Sequence, residues 1–338
     1  MPDLSIIILN WNTQDRLVKC LESIFSNAPQ CEFEVIVVDN NSEEDIADAM
    51  AQFEEVLLIR NDYNYGFAIG NNIGYRASTG RYVMPLNPDT LIYPEAIDRL
   101  ITELETDNSI GIAVPVVKDT KVRPANYTFA HLYFDSIVYR NISNLFDRYR
   151  RSVAEPFDVE LFSGTGYICR RSALSEDKIF REDHFLFGEE YRLCREMSEK
   201  GFKIRIVPDA QIHHFASVTF KDDAERLVVA SRLGNVVQWE IRKERLGSIL
   251  GILTGLILWM EQLLKLIFLR VARTFKTSKQ ENYRKLEAQS SVAVSSLFPL
   301  LKDQSRFQKK VNDEARLYFN GGKEREAPIV NGFADLNA

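Results

Sequence analysis

The chain has 338 residues, of which 45% are hydrophobic, 11% aromatic and 27% charged, a composition that supports a sizeable core and excludes collagenous, disordered and disulfide-framework proteins. Its 42 basic and 48 acidic side chains leave a net charge of −6, which argues against nucleic acid as a partner. The charge is unevenly divided: residues 1–240 carry 25 basic and 38 acidic side chains, and residues 241–338 carry 17 and 10.

Residues 4–9 form a short, continuously apolar, β-branched run ended by Asn10-Trp11-Asn12, the pattern of a strand buried on both faces. The run is too short for a signal-peptide core and follows no basic segment, so a cytoplasmic chain is expected. Thr13 and Asp15 are placed to cap a helix predicted over about 14–27, where Leu17, Cys20, Leu21, Ile24 and Phe25 recur at helical intervals. A second buried strand at 33–38 ends in Asp39-Asn40-Asn41-Ser42 and leads into an acidic helix predicted at about 43–53. A third strand is expected at 55–59, a helix at 72–79, and a fourth strand at 82–86 that ends in Asn87-Pro88-Asp89. Beyond these come a strand at 111–117, a possible second at 159–169, a loop and helix over 183–201, a strand at 203–207 and a helix at 224–245. The sequence after 285 is polar with scattered apolar residues, and from Gly321 it reads as disordered. Cys20, Cys31, Cys169 and Cys194 lack CxxC spacing, so neither a zinc knuckle nor a disulfide scaffold is supported and a reducing compartment fits.

The alternation of short buried strands and helices predicts a doubly wound, mostly parallel α/β sheet, in which ligands bind at the carboxyl ends of the strands. Three polar clusters stand at that edge: Asn10 and Asn12, Asp39 to Ser42, and Asn87 to Asp89. Each alone is ordinary turn chemistry. Three on one edge point to a binding site.

Taken in order, Ser5-Ile-Ile-Ile-Leu-Asn-Trp-Asn12, Val37-Val-Asp-Asn-Asn-Ser42, Asn64-Tyr-Gly-Phe-Ala-Ile-Gly-Asn-Asn-Ile-Gly74, Leu86-Asn-Pro-Asp89 and Phe187-Gly-Glu-Glu190 resemble glycosyltransferase family 2. Within it the chain is most similar to the rhamnosyltransferase-like enzymes of bacterial surface polysaccharide assembly. The resemblance covers about residues 4–245 and implies a GT-A fold and inverting transfer of a sugar from a nucleotide-sugar donor. Rhamnose from its dTDP form is the donor it implies, and a lipid-linked saccharide the acceptor. It also implies Mg2+ or Mn2+ at Asp89, with His214 as a second ligand and His213 a weaker candidate. A hard cation of this kind takes carboxylate oxygens and retains waters, so one or two protein ligands suffice. Asn87 stands where the first Asp of an Asp-x-Asp would be. The Asp39 carboxylate would accept the imide N–H of uracil or thymine, and Asn10, Asn12, Asn41, Asn71, Asn72, Asn87 and Gly164 complete the implied donor site. Deprotonating an acceptor hydroxyl needs a general base, and Glu189 and Glu190 occupy that place; which of them serves is open at this point. Three positions depart from the pattern: Glu190 and Arg192 stand where Asp is common, and Arg181 replaces another Asp. Those two arginines keep alive the alternative of a catalytically idle nucleotide-sugar-binding or scaffold subunit.

Residues 246–260 are uncharged, after which Glu261, Gln262, Lys265, Arg270 and Arg273 interrupt further apolar sequence. On a helical wheel these residues, with Gly247, Gly251, Thr254, Gly255 and Lys276, gather in one half, while Leu258, Leu266 and Leu269 stray into it. An in-plane amphipathic helix on the cytoplasmic face of an anionic membrane is expected, helped by 10 basic against three acidic side chains over 241–285. Burial against the catalytic domain or in a homo-oligomer is the other use of such a helix. The expected division is a catalytic domain at 1–245, a membrane-associating segment at 246–285 and a helical, partly disordered tail at 286–338.

Overall fold

The computed structural model describes residues 2–119, 124–125, 155–162, 164–215, 224–272 and 280–321. Four parallel strands, β1 (Leu4–Asn10), β2 (Phe33–Asp39), β3 (Val56–Arg60) and β4 (Tyr82–Leu86), form one half of a mixed sheet in the order β3-β2-β1-β4. The other half continues through β9 (Ile168–Arg170), β6 (Ile110–Asp119), β10 (Lys203–His214) and β5 (Thr90–Ile92), with β7 (Pro124–Ala125) and β8 (Phe157–Val159) paired at its margins. β6 and β10 run parallel, while β9 and β5 are antiparallel to their neighbours.

The continuous apolar run of β1 follows from cover on both faces. Ile6 and Ile8 pack with Leu17, Leu21 and Ile24 of α1 (Gln14–Ser26) and Leu100 and Leu104 of α4 (Ala96–Thr106). Ile7 belongs to the opposite layer with Tyr75 of α3 (Phe67–Ala77) and Leu193, Cys194 and Met197 of α5 (Glu189–Glu199).

Several expected bounds shift for physical reasons. The acidic helix at 43–53 shrinks to α2 (Ala47–Met50), because Glu43 N–H is held by Asn12 and Asp45 receives Ala47 N–H. The helix expected at 72–79 begins at Phe67. Its glycines serve close helix–sheet packing: a Cβ at Gly70 would lie 2.4 Å from Leu9 Cδ1, and one at Gly74 2.5 Å from Ile7 Cγ2. The single strand expected at 159–169 is two, β8 and β9, and β10 runs on to include both histidines.

The C-terminal region is helical: α6 (Ala224–Ala272), α7 (Gln280–Lys302) and α8 (Gln304–Phe319). α6 folds back at Gly247, whose φ of 74° is open to glycine at little cost. The returning arm, residues 248–272, lies on the first arm through Gly255 against the Trp239 ring and Gly251 against the Arg242 and Lys243 backbone. It also packs along α7, where Trp259 Nε1 donates to Val294 O (3.0 Å) and Ser290 donates to Gln262 Oε1 (3.1 Å).

This packing sets much of the polar half of the wheel against protein and leaves the apolar half outward. Gly251, Gly255 and Gln262 of the polar half face protein, and Leu266 and Leu269, which strayed on the wheel, are buried. The large apolar side chains point outward, with Ile249 80%, Ile257 68% and Phe268 66% exposed. Arg273, Lys276 and the stretch beyond Gly321 lie outside the described residues. α8 packs against loops of the catalytic domain, where Asn312 Oδ1 receives Phe185 N–H (3.0 Å) and Phe319 stacks on Phe185.

Candidate active site

A cleft of about 380 Å³ opens at the carboxyl edge of the parallel half-sheet. Behind it, Asn10 and Asp39 sit opposite one another in the β1–β2 register. Asn10 Nδ2 donates to Asp39 Oδ1 (3.0 Å), and the Ser42 hydroxyl donates to the same oxygen (2.6 Å). Among the described residues, Asp39 Oδ2 receives only a long bond from Ser42 N–H (3.4 Å). Asn12 (φ 52°) and Asn41 (φ 64°) adopt the left-handed turn conformation that asparagine tolerates. Asn12 ties the two strand-end loops, its N–H donating to Ser42 Oγ and its Oδ1 receiving Glu43 N–H. Asn10 and Asn12 therefore build and orient the Asp39 environment rather than wall the cleft, and Asn41 is exposed.

Asn87, Asp89 and His214 line the cleft together. β5 follows Asp89 directly and pairs with β10, Thr90 opposite His214, while Phe215 N–H donates to Asp89 O (3.0 Å). His214 Nε2 and Asp89 Oδ1 consequently lie 3.1 Å apart. Among the described residues no group of three or more His, Cys, Asp or Glu forms a metal cage. One carboxylate oxygen and one imidazole nitrogen facing an open cleft fit a divalent cation that takes its other ligands from a diphosphate and water. His213 is turned away from the cleft, its ring edge-on to Phe215 at 4.7 Å.

Glu189 and Glu190 open α5 and face the same cleft, where the helix N-terminus favours acidic groups. Phe187 (φ 75°) and Gly188 (φ 89°) turn the chain into this position; for Phe187 that backbone is strained, a feature that concentrates at functional sites. Glu189 is 3% exposed and its Oε1 has no hydrogen-bond partner among the described residues. Burial, then the neighbouring Glu190 charge, pushes its pKa up to about 8. Glu190 is only partly buried by area and is also pushed upward by burial. Its carboxylate lies over Gly164: a Cβ there would stand 1.8 Å from Glu190 Oε1. Gly164 is required by this side chain, a reason distinct from substrate approach.

The departures from the family pattern are absorbed behind the pair. Arg192 lies 2.8 Å from Glu240 and 3.7 Å from Asp183, while His184 lies 3.0 Å from Glu240 and 3.4 Å from Asp183. Burial pushes His184 down, but its bonds to Asp183 and Glu240 outweigh that and hold its pKa at about 9. Arg181 pairs with Asp183 at 3.1 Å.

Asn71 and Asn72 stand apart from the cleft. Asn71 bonds to Phe67 O within its helix. Asn72 is fully used in fixing residues 179–182, its Oδ1 receiving Ile179 and Phe180 N–H and its Nδ2 donating to Phe180 O and Glu182. Instead, Asn40 and Asn64 line the wall, joined by a 2.8 Å bond. Asn64 is in turn clamped by the residue that follows α8: Asn320 Oδ1 receives Asn64 N–H (2.7 Å) and Asn320 Nδ2 donates to Asn64 O (3.1 Å). Phe319 enters the cleft wall, stacked on Phe185 at 5.3 Å and edge-on to Trp11 at 5.2 Å. Sequence reasoning missed Phe319 and Asn320, which no local motif marks.

A mixed α/β sheet carrying such a cleft defines the GT-A fold. The structure is similar to that of a mannosyltransferase from Pyrobaculum calidifontis in complex with GDP-Man and Mn2+, with a TM-score of 0.56 and 15% identity over 89% of this chain and 88% of that one. The chain belongs to glycosyl transferase family 2, whose family model matches residues 5–177. Among curated relatives, an uncharacterized glycosyltransferase of Haemophilus influenzae is 32% identical over 108 residues, 32% of this chain and 36% of the relative. A second from that organism is 21% identical over 59% of this chain and 61% of its own length, so the matches span from about a third to three fifths of these relatives. An N-acetylglucosaminyl-diphospho-decaprenol L-rhamnosyltransferase of Mycobacterium tuberculosis is 25% identical over 66% of this chain and 80% of the relative.

Proposed function

We propose that the protein is an inverting, metal-dependent glycosyltransferase that moves a sugar from a nucleotide-sugar donor to a hydroxyl of a lipid-linked saccharide. The observation that carries this reading is the meeting of two pairs on one cleft, Asp89 with His214 and Glu189 with Glu190. Asp39, oriented by Asn10 and Ser42, holds the base through its less-used oxygen. Asp89 and His214 would hold Mg2+ or Mn2+, which when bound neutralises charge on the departing diphosphate. Glu190, the more accessible carboxylate, accepts the acceptor hydroxyl proton. The acceptor oxygen then bonds to the anomeric carbon as the bond to the diphosphate oxygen breaks on the opposite face. Glu189 retains its own proton at neutral pH, which spares the site a second adjacent negative charge. Rhamnose from dTDP-rhamnose is the preferred donor, in line with the resemblance and with the name of the mycobacterial relative.

Leu246–Val271 is long and apolar enough to cross a membrane by length and composition. Its lengthwise packing on α7, where Ser290 bonds to Gln262, favours an in-plane position, since a span would carry Glu261, Lys265 and the polar residues of α7 into hydrocarbon. The outward apolar face then enters the cytoplasmic leaflet of an anionic membrane.

The test is transfer by the purified full chain from a panel of nucleotide sugars to polyprenyl-diphosphate-linked saccharides, with Mn2+ and with chelator. Metal-dependent turnover of one donor is expected. Donor binding without transfer to any such acceptor favours an idle nucleotide-sugar-binding subunit.

A further inference from the structure

The turn that carries Glu189 and Glu190 is not secured by its own side chains. Phe187 (φ 75°) is strained, and its ring, 36% exposed, joins no apolar cluster among the described residues. Backbone strain of this kind persists only where the surrounding structure over-determines the conformation. Here that surrounding structure is the first arm of α6, which grips the chain on both sides of the two glutamates. Ahead of them, Val237 closes on Gly188, where a Cβ would stand 2.8 Å from Val237 Cγ1, and Glu240 Oε2 lies 3.0 Å from His184 Nε2. Beyond them, the same Glu240 oxygen takes Arg192 Nη2 at 2.8 Å, and Glu244 accepts from the Tyr191 hydroxyl (3.0 Å). Val237, Glu240 and Glu244 recur at intervals of three and four, so one face of the helix makes all these contacts. Apolar packing alone would let two helices slide, whereas one carboxylate oxygen shared by two cationic groups is lost on any shift. Fixing register in this way is the best-attested use of a buried ion pair, whose net contribution to stability is small.

We propose, on the reading of Glu190 as the base, that Val237 and Glu240 of α6 are positioning residues for transfer: they fix residues 184–192 and thereby hold the Glu190 carboxylate over Gly164. Neither side chain lines the cleft, so both act through the turn. Arg192, a departure from the family pattern, thereby gains a part in transfer as the partner of Glu240.

The test measures kcat and donor KM separately for the full chain, at a temperature well below the melting point of every variant, so that each is fully folded. Val237→Ala and Glu240→Gln should each lower kcat about tenfold or more while donor KM stays within about threefold of native. Val237→Thr restores the branched shape on Gly188 but buries a hydroxyl; it should lower the melting temperature and yet recover kcat to within about threefold of native. Arg192→Gln/Glu240→Gln should lose no more than Glu240→Gln alone, since the two groups act as one unit. Native kcat in both Val237→Ala and Glu240→Gln overturns the positioning role, as does a kcat in Val237→Thr as low as in Val237→Ala. Where Glu240→Gln does not fold, the two Val237 variants decide. An inactive Glu190→Gln beside native kcat in the α6 variants overturns the positioning role alone. Native-like transfer by Glu190→Gln, or no transfer by the native chain, overturns the base reading and the positioning role with it.

Discussion

Gly164→Ala perturbs the proposed base without touching it covalently. The added Cβ would lie 1.8 Å from Glu190 Oε1 and 2.4 Å from its Cδ, against an ordinary contact of about 3.5–4 Å. The carboxylate must therefore retreat by about 1.5 Å, and as the far end of a flexible side chain it can do so without displacing backbone. A misplacement of about 1 Å in a reacting group costs roughly a hundredfold in rate. Turnover at saturating donor and acceptor should fall about a hundredfold, while the melting temperature and donor affinity stay near native values. Adding Glu190→Asp, which withdraws the carboxylate by one methylene, should recover part of the loss. The readout is initial-rate transfer on proteins matched by thermal denaturation. Turnover within threefold of native in Gly164→Ala would refute the placement of the Glu190 carboxylate as the group that acts.

Glu189→Gln tests the buried proton: because the folded pKa is raised from 4.5 to about 8, the native chain loses stability as pH rises between those values. The variant should be close to native at pH 5 and more stable by on the order of 5 kcal/mol near pH 9, by denaturant unfolding; parallel pH profiles would contradict this. Glu240→Gln removes the carboxylate facing His184 and Arg192 and should cost about 3 kcal/mol. The His184 contribution, fully present below pH 6.5 and lost through about 9 in the native chain, should then disappear at lower pH. Asn320→Ala breaks both bonds to the Asn64 backbone; it should destabilise by about 2 kcal/mol and raise the donor KM, with faster amide exchange at Asn64 as the check.

The parallel half of the sheet was legible because each strand is covered on both faces and ends in a polar cluster, so period and boundary coincide in short stretches. Asp89 follows one of these strands, whereas Glu189 and Glu190 open a helix and were pointed to by the resemblance alone. Asn71 and Asn72 misled, since the glycines around them mark a helix pressed against β1 and β2, and their amides are used inside the protein. A helical wheel separates the polar from the apolar face of the returning arm but does not reveal that the polar face meets protein rather than water. Here small and amide side chains make the close contact and the leucines, isoleucines and phenylalanine are left outside. The contact of Asn320 with Asn64 joins residues 256 apart in sequence, and neither residue carries a local pattern that could reveal the other.

The central claim is that Glu190 takes the acceptor proton during inverting transfer from a donor held at Asp89. It is tested most directly by comparing native and Glu190→Gln protein with the donor identified by the panel, following donor affinity, transfer rate and the anomeric configuration of the product. The account predicts an inverted linkage from native protein, with Glu190→Gln binding donor within about threefold of native and transferring at least a hundredfold more slowly. Native-like transfer by Glu190→Gln, or a product that retains the donor configuration, would contradict it.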